Sequence, residues 1–222
     1  GWPATMPEER PESRLRFFFG TMGSGKSTQA LQIHHNLSSG GLQGRLITQL
    51  DRQGNVVSSR LGVSKEAAEV RPGTSIVELV LGGRPAALID YVVADETHFY
   101  ELEQIDELAR LVDVYDVDVY AFGLLTSFQG KLFPASARLL ELADERSEIQ
   151  VEARCWCGRR ATHNARLLDG EQVYDGALIV VGDTADADAG EAQLELTGGE
   201  PEVTYELLCR YHWHRAEPRP ST

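Results

Sequence analysis

The chain has few of the residues that would mark a secreted, membrane-spanning or nucleic-acid-coating protein. Its 222 residues include only three cysteines, unlike a secreted disulfide framework, and its apolar runs are far shorter than the ~20 residues that cross a bilayer. It has no basic start followed by an apolar stretch, as signal peptides have. Basic residues are also few, 21 against 34 acidic ones, for a formal net charge of −13. We therefore expect a cytoplasmic protein that binds neither nucleic acid nor membrane, in which phosphate chemistry depends on a locally positive site.

The hydrophobic pattern divides the chain into four parts. Residues 1–14 hold three prolines and many charges, and we expect a flexible lead-in. Residues 15–150 alternate short apolar runs with helix-like stretches, which predicts an α/β domain with a parallel sheet and crossover helices. Residues 151–215 change to short strand-like pieces, turns and cysteines, which indicates a small separate module, followed by a flexible tail at 216–222.

Several elements of the larger domain can be predicted individually. Apolar runs predict buried strands at residues 15–19, 45–50, 88–94 and 117–124. A helix is predicted from Lys26 to about Leu37. Apolar positions at helical spacing predict two more helices, marked by Leu102, Ile105, Leu108 and Val112 and by Leu139, Leu140 and Leu142.

A glycine-rich loop separates the first predicted strand from the first predicted helix. It fits the Walker A pattern and consists of Gly20, Thr21, Met22, Gly23, Ser24, Gly25, Lys26 and Ser27. The glycines let backbone N–H groups point into the loop, and the following helix adds its positive dipole end. We expect Lys26 to reach the β- and γ-phosphates of ATP, and the Ser27 hydroxyl to bind Mg²⁺. The alternative is an ordinary glycine-rich turn.

Two acidic residues follow the predicted strand at 88–94. Open α/β sheets bind ligands at the carboxyl ends of their strands, which is where Asp95 and Glu96 lie. We expect Asp95 to hold Mg²⁺ directly or through water, and Glu96 to take a proton from an attacking hydroxyl. Alternatively, both acids only favour the start of the next helix through its dipole. Asp90, within the strand, has no assigned role.

The three cysteines and one histidine form two close pairs that are far apart in the sequence. Cys155 and Cys157 lie at one end, and Cys209 and His212 at the other, which is the arrangement of a structural zinc ribbon. The single residue between the first two cysteines is fewer than usual. His214 competes with His212, and His163 is a more distant candidate. Incidental buried thiols are the alternative.

These residues resemble the thymidine kinase family that includes the human cytosolic enzyme. The similarity rests on residues 20–28, 95–99 and 123–130, on the cysteine pair, and on Tyr205 four residues before Cys209. It implies that Glu96 deprotonates the 5′-hydroxyl of thymidine, or of deoxyuridine, which attacks the γ-phosphate of ATP to give the nucleoside monophosphate and ADP. It also implies a homotetramer.

The resemblance further implies a set of binding residues. Thr97 and His98 would join Asp95, Glu96 and the Walker A loop in the ATP site. The nucleoside pocket would be walled by Met22, Phe99, Leu124, Phe128 and Tyr205. A loop would read the base through backbone groups, and it would consist of Leu178, Ile179, Val180, Val181 and Gly182.

The chain also departs from the family pattern. His98 stands where glutamine is usual, and Gly182 is followed by Asp183 instead of a second glycine. An acidic insertion at residues 183–202 interrupts the substrate loop. Asp51 and Arg52 resemble a family segment near the phosphates only weakly, because the preceding residue is Leu50.

Two other functions fit parts of the sequence. One is a P-loop ATPase that couples hydrolysis to a conformational change, with the small module as a regulatory or partner-binding domain. The other is a nucleic-acid-binding protein that uses basic residues of the module. Those residues are Arg154, Arg159, Arg160 and Arg166. The charge of −13 argues against the second function.

Overall fold

Six parallel strands form the sheet that the alternating pattern predicts. The computed structural model describes residues 12–49, 67–149, 153–177 and 201–222. The strands are β1 (Leu15–Gly20), β2 (Gly44–Thr48), β3 (Ala67–Glu69), β4 (Tyr91–Asp95), β5 (Asp118–Leu124) and β6 (Glu145–Glu148). Their order across the sheet is β3-β2-β4-β5-β1-β6, with every pairing parallel. The predicted α/β class with a parallel sheet is confirmed.

Helices cover both faces of this sheet. They are α1 (Lys26–Ser39), α2 (Ile76–Leu81), α3 (Leu102–Asp113) and α4 (Pro134–Leu142). Alternate residues of β4 belong to two separate apolar clusters, with Tyr91 and Val93 in the cluster that includes Ala30 of α1. Val92 and Ala94 point the other way, into the cluster with the apolar side chains of α3 and α4. Because β4 is buried on both faces, its apolar run is continuous instead of alternating.

Two details of the predicted elements are wrong. The strand predicted from residue 88 begins at Tyr91, and Leu88 is 57% exposed at the end of a 3-10 turn, Ala86–Leu88. The N–H groups of Leu88 and Ile89 donate to the carbonyls of Pro85 and Ala86, so they are not used in a sheet ladder. Leu102, predicted on the buried face of a helix, is the first residue of α3 and is 51% exposed, whereas Ile105, Leu108 and Val112 of that face are buried.

The residue that had no assigned role, Asp90, joins β4 to its neighbour. Its Oδ2 accepts a hydrogen bond of 2.8 Å from the Gln43 N–H, just before β2. Its backbone also takes part, since the Asp90 N–H donates to the Gln43 carbonyl and its own carbonyl accepts from Asp118. Asp90 therefore aligns the starts of β2, β4 and β5, at the edge of the sheet away from the phosphate loop.

The second, smaller sheet is antiparallel. It contains β7 (His163–Leu168), β8 (Glu171–Val173) and β9 (Val203–Leu208) in the order β8-β7-β9, and the short helix α5 (Arg210–His214) follows. The pairing of β7 with β9 sets Arg166 opposite Tyr205. In the described part of the chain, no helix combines the length and apolar character needed to cross a membrane.

Candidate active site and metal site

The phosphate loop connects the end of β1 to the start of α1. The Lys26 ammonium donates to the Thr21 carbonyl at 2.7 Å and to the Ser24 hydroxyl at 3.2 Å. The Lys26 side chain is almost fully buried, so its charge acts inside the loop where water screens it little. The loop therefore concentrates positive charge at the N-terminus of a 14-residue helix.

Two glycines of this loop are required by geometry. Gly25 caps α1 with φ 81°, a left-handed conformation that favours glycine. At Gly20 the constraint is space, because a Cβ would lie 2.6 Å from the Ser24 hydroxyl oxygen. A side chain at Gly25 would strain the loop backbone, and one at Gly20 would displace the Ser24 hydroxyl to which Lys26 donates.

Asp95 ends β4 beside the loop and contacts it directly. The Ser27 hydroxyl donates to Asp95 Oδ2 at 2.9 Å, although the two residues are far apart in sequence. Asp95 is buried, and its Oδ1 accepts the backbone N–H of Glu96 at 2.9 Å. A hydroxyl and a carboxylate side by side at the end of a phosphate loop are the oxygen ligands that Mg²⁺ prefers.

Glu96 stands in an unusual backbone conformation. Its φ is 55°, in the left-handed region that few residues other than glycine adopt. This turn leads from β4 into the 3-10 turn Thr97–Phe99 and directs the Glu96 side chain into the cleft beside the phosphate loop. Asp95 and Glu96 thus face different surroundings, with the first on the loop and the second in the open cleft.

The three residues that follow Glu96 in the sequence make different contacts. His98 is buried, and its Nε2 lies 3.3 Å from Glu96 Oε2. Thr97 is buried too, but its hydroxyl donates to the Phe122 carbonyl at 2.9 Å, so it serves the packing of the turn against β5. Phe99 lies on the cleft wall.

A cleft of about 370 Å³ adjoins the loop and Glu96. It brings together all five side chains that the resemblance implies for a nucleoside pocket, namely Met22, Phe99, Leu124, Phe128 and Tyr205. Lys26, Ser27, Glu96 and His98 lie on the same cleft, whereas Gly20, Thr21, Ser24, Asp95 and Thr97 are behind its surface. One cavity therefore combines a phosphate loop, a carboxylate and a largely apolar pocket.

Asn164, on β7, is a cleft residue that sequence reasoning missed. Its Oδ1 accepts the backbone N–H of Met22 at 3.0 Å, and its Nδ2 donates to the Thr126 carbonyl at 3.1 Å. The side chain is buried and joins the phosphate loop, the segment after β5 and the small sheet. An asparagine in a short strand carries no sequence signal of such a contact.

Arg166 was considered only as part of an exposed basic patch, but it is 4% exposed and lies on the cleft. Its guanidinium carbon is 3.6 Å from the centre of the Phe128 ring. Its Nε donates to the Tyr205 hydroxyl at 3.0 Å, and its Nη1 to the Ala177 carbonyl at 2.5 Å. Arg166 is therefore not available to an exposed basic surface, and it gives this wall of the cleft a positive charge.

Trp213 attaches the small sheet to the larger domain. Its indole N–H is shared between the carbonyls of Phe128 and Asn164, at 3.3 and 3.2 Å. The ring lies so close to Gly130 that a Cβ there would be 2.4 Å from it. Because Trp213 directly follows His212, the proposed metal site and the cleft are adjacent along α5.

Cys155, Cys157, Cys209 and His212 form one cluster, with their ligand atoms all within 4.8 Å of one another. Cys155 Sγ is 3.5 Å from His212 Nδ1, and Cys209 Sγ is 3.4 Å from the same atom and 3.9 Å from Cys157 Sγ. A tetrahedral zinc ion has edges of about 3.5–3.8 Å between sulfur and nitrogen or sulfur ligands, so the spacing fits it. The sulfur separation is too long for a disulfide, which needs about 2 Å.

The surroundings of the cluster also suit a metal. Burial raises the pKa of the Cys209 thiol, but hydrogen bonds from the His212 backbone and from the other two thiols outweigh it, so this pKa lies below its usual value. His212 Nε2 lies 3.7 Å from a Glu217 carboxylate oxygen, as the outer nitrogen of a metal-bound histidine often faces an acid. His214 is exposed, and His163 instead packs against Trp213.

Some predicted site residues lie outside the described residues. These are the base-reading loop at Leu178, Ile179, Val180, Val181 and Gly182, the weakly assigned Asp51 and Arg52, and residues 183–200 of the insertion. Ala177, the last described residue before the loop, is held by Arg166 at the cleft. Ala177 therefore lies beside Arg166, which is one of the residues that line the cleft.

The fold and the site together define a P-loop nucleotide-binding protein. A parallel sheet leads from β1 into a Walker A loop, and a second strand ends in an acidic pair that contacts the loop. The additional carboxylate and the pocket beside the loop are the features of a phosphotransferase that binds a second small substrate.

Comparisons with known proteins identify the family. The profile of the family described as thymidine kinase matches residues 13–213. The chain is 51% identical to a thymidine kinase of Streptomyces coelicolor, over 90% of this chain and 88% of that protein. It is 45% identical to a thymidine kinase of Cutibacterium acnes, over 91% of this chain and 88% of that protein. It is also 34% identical to a thymidine kinase of Enterobacteria phage T4, over 90% of this chain and 95% of that protein. The chain belongs to the thymidine kinase family, and the predicted resemblance is confirmed.

Proposed function

We propose that this enzyme transfers the γ-phosphate of ATP to the 5′-hydroxyl of thymidine, giving thymidine monophosphate and ADP. The observation that carries the proposal is that Glu96 lines the same cleft as the phosphate loop and the apolar side chains of the pocket. A regulatory ATPase would not need that pocket. Thymidine kinases that are 51% and 45% identical to this chain support the choice of substrate, and deoxyuridine differs from thymidine by one methyl group.

The pocket suits a pyrimidine nucleoside. Phe99 and Leu124 offer apolar surfaces against which a base can pack, and Phe128 adds a ring whose face carries the Arg166 guanidinium. Backbone groups of residues 178–182 would read the base edge, as the resemblance to the family implies. The 5′-hydroxyl would then point toward Glu96 and the phosphate loop.

The reaction needs one proton transfer and one phosphoryl transfer. Glu96 accepts the proton of the 5′-hydroxyl, and the resulting oxygen forms a bond to the γ-phosphorus while the bond from that phosphorus to the β–γ bridging oxygen breaks. ADP leaves with the bridging oxygen. Lys26 and the loop N–H groups stabilise the charge on the β- and γ-phosphates. Ser27 and Asp95 would hold Mg²⁺, which neutralises phosphate charge when it is bound.

The module would contribute structure and one wall of the cleft. Cys155, Cys157, Cys209 and His212 would bind Zn²⁺, which holds together a module too small to bury a large core of its own. Through Trp213 and Asn164 this module supports the phosphate loop. We propose that residues 15–150 form the larger domain and residues 151–215 the small module. We also propose a homotetramer in the cytoplasm, whose reducing conditions keep such thiols available for metal.

The decisive test is product formation. Purified protein with Mg-ATP should yield ADP and thymidine monophosphate only when thymidine is present, as mass spectrometry of the nucleoside would record. E96Q should lower kcat by at least ~10²-fold, since general-base catalysis contributes about 10²–10⁴. E103Q makes the same chemical change at an exposed residue of α3 and should leave the rate unchanged. ATP turnover that ignores thymidine would favour the regulatory ATPase instead.

A further inference from the structure

We propose that His98 is a positioning residue that holds the carboxylate of Glu96 in its reactive orientation. This inference depends on the proposed role of Glu96 as the base. The His98 ring acts as a rigid bridge between β5 and Glu96: one ring nitrogen is held by the backbone of β5, and the other nitrogen faces the Glu96 carboxylate.

The first end of the bridge fixes the tautomer of the ring. The backbone N–H of Leu124 donates to His98 Nδ1 at 3.0 Å. A nitrogen that accepts a hydrogen bond cannot carry a proton, so the neutral ring has its proton on Nε2. Nε2 is the atom that lies 3.3 Å from Glu96 Oε2. The ring therefore offers Glu96 a donor, whereas the other tautomer would offer an acceptor and repel the carboxylate.

The packing of the ring prevents it from turning. The His98 side chain is 2% exposed. Its ring centre is 4.1 Å from that of Phe99 and 4.9 Å from that of Phe133, and both of these rings line the cleft. Behind the ring, β5 passes so close at Gly123 that a Cβ would lie 3.2 Å from Nδ1. The Nε2–H is thus fixed in direction before any substrate binds.

Glu96 needs such a support. Its backbone is held by the hydrogen bond from its N–H to Asp95, but its side chain is 20% exposed and has several rotatable bonds. Fixing a long side chain costs entropy, and a displacement of about 1 Å at a reacting group can cost ~10²-fold in rate. A donor that is already rigid reduces the number of orientations that the carboxylate can adopt.

The test compares two replacements of similar size. H98L removes both polar atoms, whereas H98Q restores one acceptor for Leu124 and one donor for Glu96. H98L should lower kcat by ~10–100-fold with little change in the KM for ATP. Loss of a residue that holds another site residue in position commonly has an effect of this size. H98Q should recover most of the loss. If H98Q is as slow as H98L, or if both retain the rate of the unchanged protein, the proposal is overturned.

A double substitution separates positioning from a general effect on packing. If His98 acts through Glu96, H98L should cost almost nothing further in the E96Q background, because the base it positions is already absent. If the double variant instead loses rate by the product of the two single losses, His98 acts independently of Glu96 and the proposal is overturned. If E96Q alone keeps full activity, the proposed function itself fails, which is a distinct result.

If H98L does not fold, the position of the His98 ring proton can be measured on the unchanged protein. Nitrogen-15 NMR of the imidazole should find the His98 proton on Nε2 and an unprotonated Nδ1 bonded to the Leu124 N–H. The Nε2–H signal should shift in E96Q, with E103Q as the control that leaves it in place. A proton on Nδ1, or an Nε2–H signal that E96Q leaves unmoved, would contradict the bridge.

Discussion

The two walls of the cleft are encoded in different ways. The phosphate wall is formed by two short segments, residues 20–27 and the pair Asp95 and Glu96. Lys26, Ser27 and Glu96 line the cleft, Asp95 lies behind its surface, and the order of these residues in the sequence already carries the chemistry. The opposite wall comes from the module, where Asn164, Arg166 and Tyr205 meet only because β7 and β9 pair in one register. This difference teaches that the reacting groups are specified locally, whereas their placement against the nucleoside is specified by tertiary structure.

The comparison predicts that the largest loss of activity lies on the phosphate wall. K26A removes the buried ammonium from the loop and should lower kcat by ~10²–10³-fold, since a positive group aimed at the transferred phosphate stabilises the transition state most. Steady-state kinetics measures the effect. K131A, an exposed lysine after β5, is the control and should behave as the unchanged protein. Equal losses in both variants would mean that overall charge matters more than position.

The next effect tests the module as a whole. H212N should reduce bound zinc, measured by elemental analysis after dialysis, and lower the thermal unfolding temperature, because the metal holds a small core together. H214N is the matched control, since His214 is exposed and outside the cluster of ligand atoms. It should keep both zinc and stability. If H214N loses zinc and stability while H212N keeps them, the ligand is His214 instead of His212 and the proposed ligand set is wrong.

A smaller effect is expected where the two walls meet. N164A removes the acceptor for the Met22 N–H and the donor for the Thr126 carbonyl, leaving buried polar groups without their partner. Such losses cost about 1–3 kcal/mol, which urea unfolding would register. The KM for ATP should rise as well, because Met22 belongs to the phosphate loop. N36A, an exposed asparagine of α1, should change neither, and an unchanged KM for ATP in N164A would show that the module does not support the loop.

Sequence reasoning succeeded where chemistry is local and failed where it depends on register. The Walker A loop and the acidic pair could be read from spacing, and the two close pairs of cysteine and histidine in the sequence selected the four members of the metal cluster. Leu88 was misplaced because an apolar run contains no information about the 3-10 turn that precedes β4. Arg166 was read as a surface charge because nothing in sequence reveals that it stacks on Phe128.

His98 lies between these two cases. The resemblance implied His98 as a residue of the ATP site and marked it as a departure from the glutamine that is usual in the family. The structure shows that one ring nitrogen accepts from Leu124 while the other faces Glu96. A glutamine amide also has one acceptor and one donor, so the two residues can make the same pair of contacts. This equivalence depends on Leu124, 26 residues further on at the end of β5, and could not be inferred from local pattern.

The smallest effect should come from the module wall. Y205F removes the hydroxyl that accepts from Arg166 Nε, but Arg166 keeps its bond to the Ala177 carbonyl and its stacking on Phe128. We expect the KM for thymidine to rise by about fivefold, corresponding to ~1 kcal/mol for one hydrogen bond, with kcat nearly unchanged. Y211F, at a tyrosine that is 50% exposed, should alter neither constant. A fall in kcat as large as that of K26A would instead place Tyr205 among the reacting groups, and the two walls could no longer be separated into chemistry and placement.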